Sequence, residues 1–153
     1  MIGSFQTITR LILAALLSGI IGFEREAHGR AAGLRTHILV CVGSTLIMLT
    51  SLYIFDAYIG KVPLDPTRIA ANVITGIGFL GAGTIIRSGA SVMGLTTAAS
   101  IWAVSGIGLA IGCGYYLGAL VCTFIILATL LVLRRLESVV PGKKDCKEGS
   151  NVR

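Results

Sequence analysis

The sequence has no acidic residue between Asp65 and Glu137, a stretch that holds nearly half of its 153 residues. Charge of either sign is scarce: 13% of the residues are charged, against about 25% in a typical soluble domain. Hydrophobic residues make up 54% of the chain, and the mean hydropathy is +0.87. A soluble domain of this length cannot bury so much apolar surface. The shortage of charge therefore predicts a protein whose surroundings are lipid.

The residue clusters that metal, redox and nucleotide sites require are also missing from the sequence. Four cysteines form no C-x-x-C pair, and three of them fall inside apolar segments, which predicts buried, inert thiols. Gly76, Gly78 and Gly81 fit the G-x-G-x-x-G pattern, but no βαβ unit surrounds them, so we reject a dinucleotide site. His28 and His37 belong to no visible nucleophile or metal constellation. We expect neither an enzyme nor a cofactor.

Five apolar runs divide the chain, and each is long enough to cross a bilayer as a helix. At 1.5 Å per residue they reach ~27–32 Å, close to the hydrocarbon thickness of about 30 Å. The sequence thus predicts an all-α, polytopic membrane helix bundle over residues 1–136, followed by a short basic tail, 137–153, that we expect to be disordered. The five runs are Phe5–Phe23, Ile38–Phe55, Ile69–Ile86, Val92–Gly112 and Gly114–Leu133.

The distribution of lysine and arginine predicts the orientation of this bundle. The bases lie between the apolar runs and not on one soluble face, which argues against nucleic-acid binding despite the net charge of +6. If the first connection is cytoplasmic, ten of the 13 bases lie inside and three lie outside. The N-terminus is predicted outside and the C-terminus inside.

Arg10 interrupts the first run and leaves a short apolar stretch that also suits a signal peptide. No small-x-small cleavage site follows it, so we favour a retained helix. Arg10 would then snorkel outward or pair with Asp56 or Asp65.

The start of the third run carries the signals of a helix N-terminus. Asp65 can accept hydrogen bonds from the first-turn amides, and Pro66 suits a position whose N–H is unused. This explanation is structural. A functional alternative makes Arg68 an outward-facing charge above a cavity.

Four glycines follow within eight residues of the third run. Gly76, Gly78, Gly81 and Gly83 each weaken a helix by about 1 kcal/mol relative to alanine. Close helix packing explains them, and we favour it. The alternative is a broken helix whose free carbonyls, together with Asn72, face a polar cavity.

Small residues continue into the last two runs. Thr96 and Thr97 can bond to preceding carbonyls or across to another helix. Gly108/Gly112 and Gly114/Gly118 have G-x-x-x-G spacing, for which packing inside the chain is favoured over a dimer interface.

The first cytoplasmic connection, 24–37, is the richest polar segment. Glu24 lies where a helix C-terminus disfavours negative charge, so Arg25 or Arg35 is expected to compensate it. Two interpretations stay open: a charged loop that sets topology, or a binding surface.

Several of these segments together resemble the signature segments of the MgtC/SapB family of bacterial inner-membrane proteins, in the family's order and spacing. The resemblance implies an inner-membrane protein associated with growth at low magnesium, and in some members with virulence and with control of membrane machines such as ATP synthase. Many members continue into a cytoplasmic C-terminal domain, so functions of that domain are not expected of this chain. The segments are Gly22–Glu26, Ala32–His37 with Arg35 and Thr36, Asp65–Ala70, Gly76–Gly83 and Gly94–Ala99.

Two functional hypotheses follow. The first is a regulator whose small-residue helix surfaces dock on another membrane protein or on copies of the same chain. The second is a channel or transporter for magnesium or another ion that uses the glycine-rich third helix. Mg²⁺ is usually held through carboxylates and retained waters, and the runs from the third onward contain no acid. We therefore favour the regulator.

Overall fold

The structure, a computed structural model, describes residues 2–133 and 135 and is an all-α bundle, as predicted. Five helices are joined by short connections, and one small hairpin interrupts them. The helices are α1 (Ser4–Ala27), α2 (Leu34–Tyr58), α3 (Thr67–Gly83), α4 (Leu95–Cys113) and α5 (Tyr116–Ala128), which continues as a π-helical turn over Thr129–Leu133; the strands are β1 (Ile86–Ser88) and β2 (Ser91–Met93). The predicted tail, 137–153, lies outside the described residues.

Four of the helices are long and apolar enough to cross a membrane: α1, α2, α4, and α5 with its π-helical turn. Helix α3 has 17 residues, which gives a length of about 26 Å. It ends at Gly83, three residues before the predicted end at Ile86.

The hairpin between α3 and α4 was not predicted. Its strands pair antiparallel, with Ile86 opposite Met93. Gly89 in the turn has φ +60°, and Gly94, with φ +89°, directly precedes α4. The β-branched residues Ile86 and Val92 suit a strand as well as a helix, so apolarity alone misplaced both helix ends.

Helices α2 and α4 form the centre of the bundle, with α1 and α5 packed around them. A Cβ added at Gly112 would lie 2.6 Å from the Met48 Cβ, and one at Gly108 would collide with the Cys41 carbonyl. Packing inside the chain is therefore confirmed for this G-x-x-x-G pair. The buried core is Ala14, Leu17, Ile21, Cys41, Val104, Ile107, Ile111 and Ala119.

The second G-x-x-x-G pair has a different, local role. Gly114 takes φ +89° and ends α4, while a Cβ at Gly118 would meet the ring of Tyr115. Of the cysteines, Cys41 is buried, but Cys113 is exposed and Cys122 is half-buried. The expectation of buried thiols therefore fails at Cys113, and Cys146 lies outside the described residues.

Helix α3 is continuous through its glycines, so the broken-helix alternative is not observed. Within the chain, close packing is found at Gly81, where an added Cβ would lie 3.6 Å from the Ala98 Cβ. A Cβ at Gly76, Gly78 or Gly83 would meet nothing within 4 Å. Close packing within the chain, which we expected to explain the glycines, is therefore not found at these three positions.

Candidate functional site

A polar cluster lies at the end of the bundle where α1 ends and α4 begins. The last turn of α1 carries Glu24 and Arg25, and the first turn of α4 carries Thr97. The Arg25 guanidinium donates from Nη2 to the Thr97 hydroxyl over 3.1 Å, and both residues are buried. Two residues of the predicted set, Arg25 and Thr97, are thus brought together although they lie 72 positions apart in the chain.

Two polar atoms of this cluster have no hydrogen-bond partner within the described part of the chain. They are Glu24 Oε2 and Arg25 Nε, and both are buried. The other Glu24 oxygen, Oε1, lies 3.0 Å from His28 Nδ1. A buried polar group without a partner costs about 1–3 kcal/mol. The fold therefore leaves one acceptor of Glu24 and one donor of Arg25 without a hydrogen bond.

Glu24 has one partner that we expected and one that we did not. We expected Arg25 or Arg35 to compensate its charge; Glu24 does interact electrostatically with Arg25, and its Oε1 also lies 3.0 Å from His28 Nδ1. Arg25 points to Thr97, and Arg35 is exposed. The reason is helical geometry, since His28 lies one turn after Glu24 and on the same face.

His37 and Ser100 extend the cluster, although neither was among the site residues predicted from the sequence. His37 is fully buried; its Nε2 lies 3.1 Å from the Ser100 hydroxyl, and its Nδ1 lies 2.8 Å from the Gly33 carbonyl. A signal existed, because His37 precedes Cys41 and Thr45 at four-residue intervals on one face of α2. All three are buried.

Close contact between α1 and α2 holds this end of the bundle together. Glu26 Oε2 accepts a hydrogen bond from the Leu34 amide over 2.8 Å and so satisfies a free donor at the start of α2. A Cβ at Gly22 would lie 2.8 Å from the Leu34 Cα. Thr36 is exposed, and no contact brings it into the cluster.

An open cavity of about 510 Å³ lies against the charged pair. One wall is polar, with Glu24, Arg25, Arg30 and Thr96, and the other is apolar. The full lining is Glu24, Arg25, Arg30, Leu95, Thr96, Ala99, Thr129, Leu130 and Leu133. We call it the polar-end pocket.

The residues predicted around the start of α3 lie at the other end of the bundle. Asp65 Oδ1 accepts from the Thr67 amide over 2.8 Å and from the Thr67 hydroxyl over 2.6 Å. These bonds, the hydroxyl's first, lower the pKa of the Asp65 carboxyl below its ordinary value. Asp65 therefore accepts a hydrogen bond from the first amide of α3, as predicted, and Pro66 is the N-cap residue. Pro66 directly precedes the helix, and its carbonyl accepts from Ser51 Oγ over 2.7 Å. Arg68 is exposed.

Asn72 and Gly76 line a second depression, an apolar groove of about 490 Å³ between α2 and α3. Gly78, Gly81 and Gly83 do not line it. We call it the α2–α3 groove. Its full lining is Leu39, Val40, Gly43, Ser44, Ile47, Ile69, Asn72, Val73, Gly76, Ile77 and Leu80.

Arg10 neither snorkels free nor pairs with Asp65. Its Nε donates to the Tyr116 hydroxyl and its Nη1 to the Gly112 carbonyl, each over 2.8 Å. The guanidinium carbon also lies 5.8 Å from the centre of the Tyr116 ring. The carbonyls at the end of α4 carry partial negative charge and lack helical partners, so they attract this cation.

No group of three or more His, Cys, Asp or Glu side chains that could hold a metal ion occurs among residues 2–133 and 135. The buried charges, four spanning helices and polar-end pocket define a multi-pass helical membrane protein.

Comparison with known proteins identifies its family. The sequence profile of the MgtC family matches residues 11–139. The chain belongs to the MgtC family. It is 51% identical over 113 residues to the Escherichia coli K12 protein named "Putative magnesium transporter YhiD". The aligned residues make up 72% of this chain and 53% of that protein.

Two further relatives are named "Protein MgtC". That of Salmonella typhimurium LT2 is 45% identical over 130 residues (85% of this chain, 53% of the relative), and that of Brucella abortus is 44% identical over 136 residues (88% and 54%). The chain thus spans about half the length of these relatives. No solved structure matches it.

Proposed function

We propose that this chain is an inner-membrane regulator that binds a transmembrane helix of another membrane protein in the α2–α3 groove, in the response to magnesium limitation or stress. The observation that carries the proposal is a groove with a glycine on each side. Added Cβ atoms at Gly43 and at Gly76 would meet nothing within 4 Å, although both residues line the groove.

Glycine in an exposed helix position costs about 1 kcal/mol relative to alanine. In lipid, the compensation for that cost is the close approach of another helix, because acyl chains pack as well against larger side chains. At Gly108 and Gly112 the chain supplies that helix itself, namely α2. At Gly43 and Gly76 it supplies none, so the fitting occupant is a helix from outside.

Asn72 supports a proteinaceous occupant. Its carboxamide lines an otherwise apolar groove and makes no side-chain hydrogen bond within the described part of the chain. An amide between helices can bond to the backbone or side chain of a partner helix. An acyl chain would leave it unpaired.

The transporter hypothesis has one observation in its favour, the name of the YhiD relative. A carbonyl filter at the glycine run needs backbone oxygens released from helical bonding. Helix α3 is instead regular from Thr67 to Gly83. The geometry therefore supports docking better than conduction.

A pair of glycine substitutions in one helix tests the proposal. Gly76→Leu fills the groove, whereas Gly78→Leu makes the same change outside it, and neither added side chain starts from a steric clash. We expect Gly76→Leu to abolish complementation of growth at low magnesium in a strain lacking its own copy, and Gly78→Leu to retain it. Both variants should reach the membrane at wild-type levels.

Equal growth of the two variants would contradict docking in the groove. A second measurement addresses transport directly: purified protein in proteoliposomes is tested for magnesium flux. Flux that disappears on Asn72→Leu would overturn the regulator in favour of a transporter.

A further inference from the structure

A chain of hydrogen bonds joins three helices at the end of the bundle where α1 finishes. His37 of α2 contacts Ser100 of α4, with 3.1 Å between Nε2 and the hydroxyl oxygen, and this hydroxyl also lies 2.9 Å from the Thr97 carbonyl. The Thr97 hydroxyl accepts from Arg25 of α1 over 3.1 Å. All four residues are buried. We call these four residues the His37 network.

The partners of the His37 ring determine which nitrogen carries a proton. Nδ1 lies 2.8 Å from the Gly33 carbonyl, which can only accept, so Nδ1 is the protonated nitrogen. In the neutral ring, Nε2 then has no proton and accepts from the Ser100 hydroxyl. The Thr97 carbonyl gives up that hydroxyl without losing its own partner, since it accepts the Ile101 amide in the regular pattern of α4.

A proton added to Nε2 reverses this bond and brings a positive charge into the network. Nε2–H then donates to the Ser100 hydroxyl, which must donate in turn to the Thr97 carbonyl. Two charged groups act on the ring, Arg25 and Glu24, and both belong to α1. Helix α4 contains no Asp, Glu, Lys or Arg. The charged residue of α3, Arg68, lies at the other end of the bundle.

The charge balance around the ring opposes this proton. Arg25 is 4% exposed and Glu24 is 9% exposed, so the one buried carboxylate already interacts with a guanidinium. On α2 itself, Arg35 is a further cation, although it is exposed, and Cys41 is a buried thiol one turn beyond His37. A buried charge without a counter-ion of its own is costly. An imidazolium at His37 would therefore strain the contacts of α2 with α1 and α4.

We propose that the His37 network is an acid-sensitive joint, which holds α1, α2 and α4 together while His37 is neutral and loosens when its ring takes up a proton. Histidine titrates in its ordinary range between about pH 5 and 8, which makes mild acid the signal. The released contact is the one between Arg25 and Thr97, because Arg25 is the cation nearest in the network. None of these residues lines the α2–α3 groove, so the joint does not depend on the docking proposal.

Nitrogen-15 NMR of the full chain in detergent micelles, labelled at histidine, tests the protonation of the ring. The sequence has two histidines, and comparison with His28→Gln assigns their signals. At pH 7 we expect His37 to be protonated at Nδ1 and not at Nε2. A ring protonated at Nε2, alone or together with Nδ1, at this pH would overturn the proposal.

Thermal unfolding followed by circular dichroism tests the consequence for stability. The neutral network contributes fully above the histidine's pKa in the unfolded chain, about 6.5, and this contribution is lost as pH falls below that value. We expect the melting temperature to fall by roughly 2–4 °C between pH 7 and pH 5. In His37→Gln, whose amide can donate and accept but takes up no proton, this fall should disappear. His28→Gln is the matched control and should keep it.

Local hydrogen exchange shows where the fold loosens. After correction for the intrinsic pH dependence of exchange, the amides in the last turn of α1 and the first turns of α2 and α4 should exchange faster at pH 5 than at pH 7. Those at the Cys113 end of α4 should not change. Equal acid responses of His37→Gln and the unaltered chain, or equal changes at both ends of α4, would overturn the proposal. The exchange and NMR measurements on the unaltered chain decide it if His37→Gln does not fold.

Discussion

Charged side chains are bonded differently at the two ends of this bundle. At the end where α1 begins, the Arg10 guanidinium is bonded to Tyr116 and to the Gly112 carbonyl. At the end where α1 finishes, Glu24 and Arg25 are more deeply buried, yet each retains a polar atom without a partner. The first arrangement is what stability alone requires. The second costs stability, and such costs are typical of binding sites.

The comparison shows how to separate structural from functional charges in a membrane protein. A charged side chain within a membrane segment is costly unless it finds partners. Where groups of the same chain bond all the polar atoms of a charged side chain, removal of that side chain should lower the free energy of unfolding. Where part of the charged group has no hydrogen-bond partner, removal of the side chain should lower the free energy of unfolding less.

The largest expected effect is at Arg10. Arg10→Met removes two charge-assisted hydrogen bonds and leaves the Gly112 carbonyl without its side-chain donor. We expect the free energy of unfolding to fall by about 3 kcal/mol. The measurement is a denaturant titration of the detergent-solubilised protein followed by circular dichroism. Arg68→Met, at an exposed arginine of α3, is the control and should change stability by less than about 0.5 kcal/mol.

If Arg10→Met lowers the free energy of unfolding no more than Arg68→Met does, the comparison of the two ends fails. Arg10 would then stabilise the fold no more than an exposed arginine does.

Glu24→Gln should have a smaller effect on stability. Its Oε2 has no hydrogen bond to lose, and neutralising a buried carboxylate removes a desolvation cost that offsets the weakened contact with His28. We expect a change in the free energy of unfolding of less than about 1 kcal/mol in lipid-free detergent.

The control for this variant is Glu26→Gln, at an exposed carboxylate that bonds the Leu34 amide. A loss at Glu24→Gln as large as that at Arg10→Met would show that the charged groups at the two ends contribute equally to stability.

Sequence reasoning found the helices because their signal is a long apolar run, which needs no tertiary information. It also found Glu24, Arg25 and Thr97 as single residues. It could not pair Arg25 with Thr97, because that contact joins α1 to α4 and depends on how the helices pack. Arg10 shows the same limit: acids were considered as its partners, whereas the structure supplies a phenol and a helix-end carbonyl.

The glycines show a second limit. Gly76 and Gly108 look alike in sequence, each in an apolar run rich in small residues. One lies in open space and the other is pressed against α2. Only the placement of the neighbouring helix distinguishes them, so a count of small residues predicts packing without saying which face packs.

The smallest expected effect concerns Asp65, at the same end as Arg10 but exposed. Hydrogen bonds from Thr67 lower the pKa of Asp65, so its contribution to stability is full above the carboxyl's pKa in the unfolded chain and is lost as pH falls through its lower pKa in the folded chain. We expect a small drop in thermal stability below roughly pH 4, measured by circular dichroism in detergent. Asp65→Asn should lack that component of the pH dependence, while Arg10→Met should keep it. An identical acid response in Asp65→Asn and wild type would show that the cap contributes nothing, and that stability at this end depends on Arg10 alone.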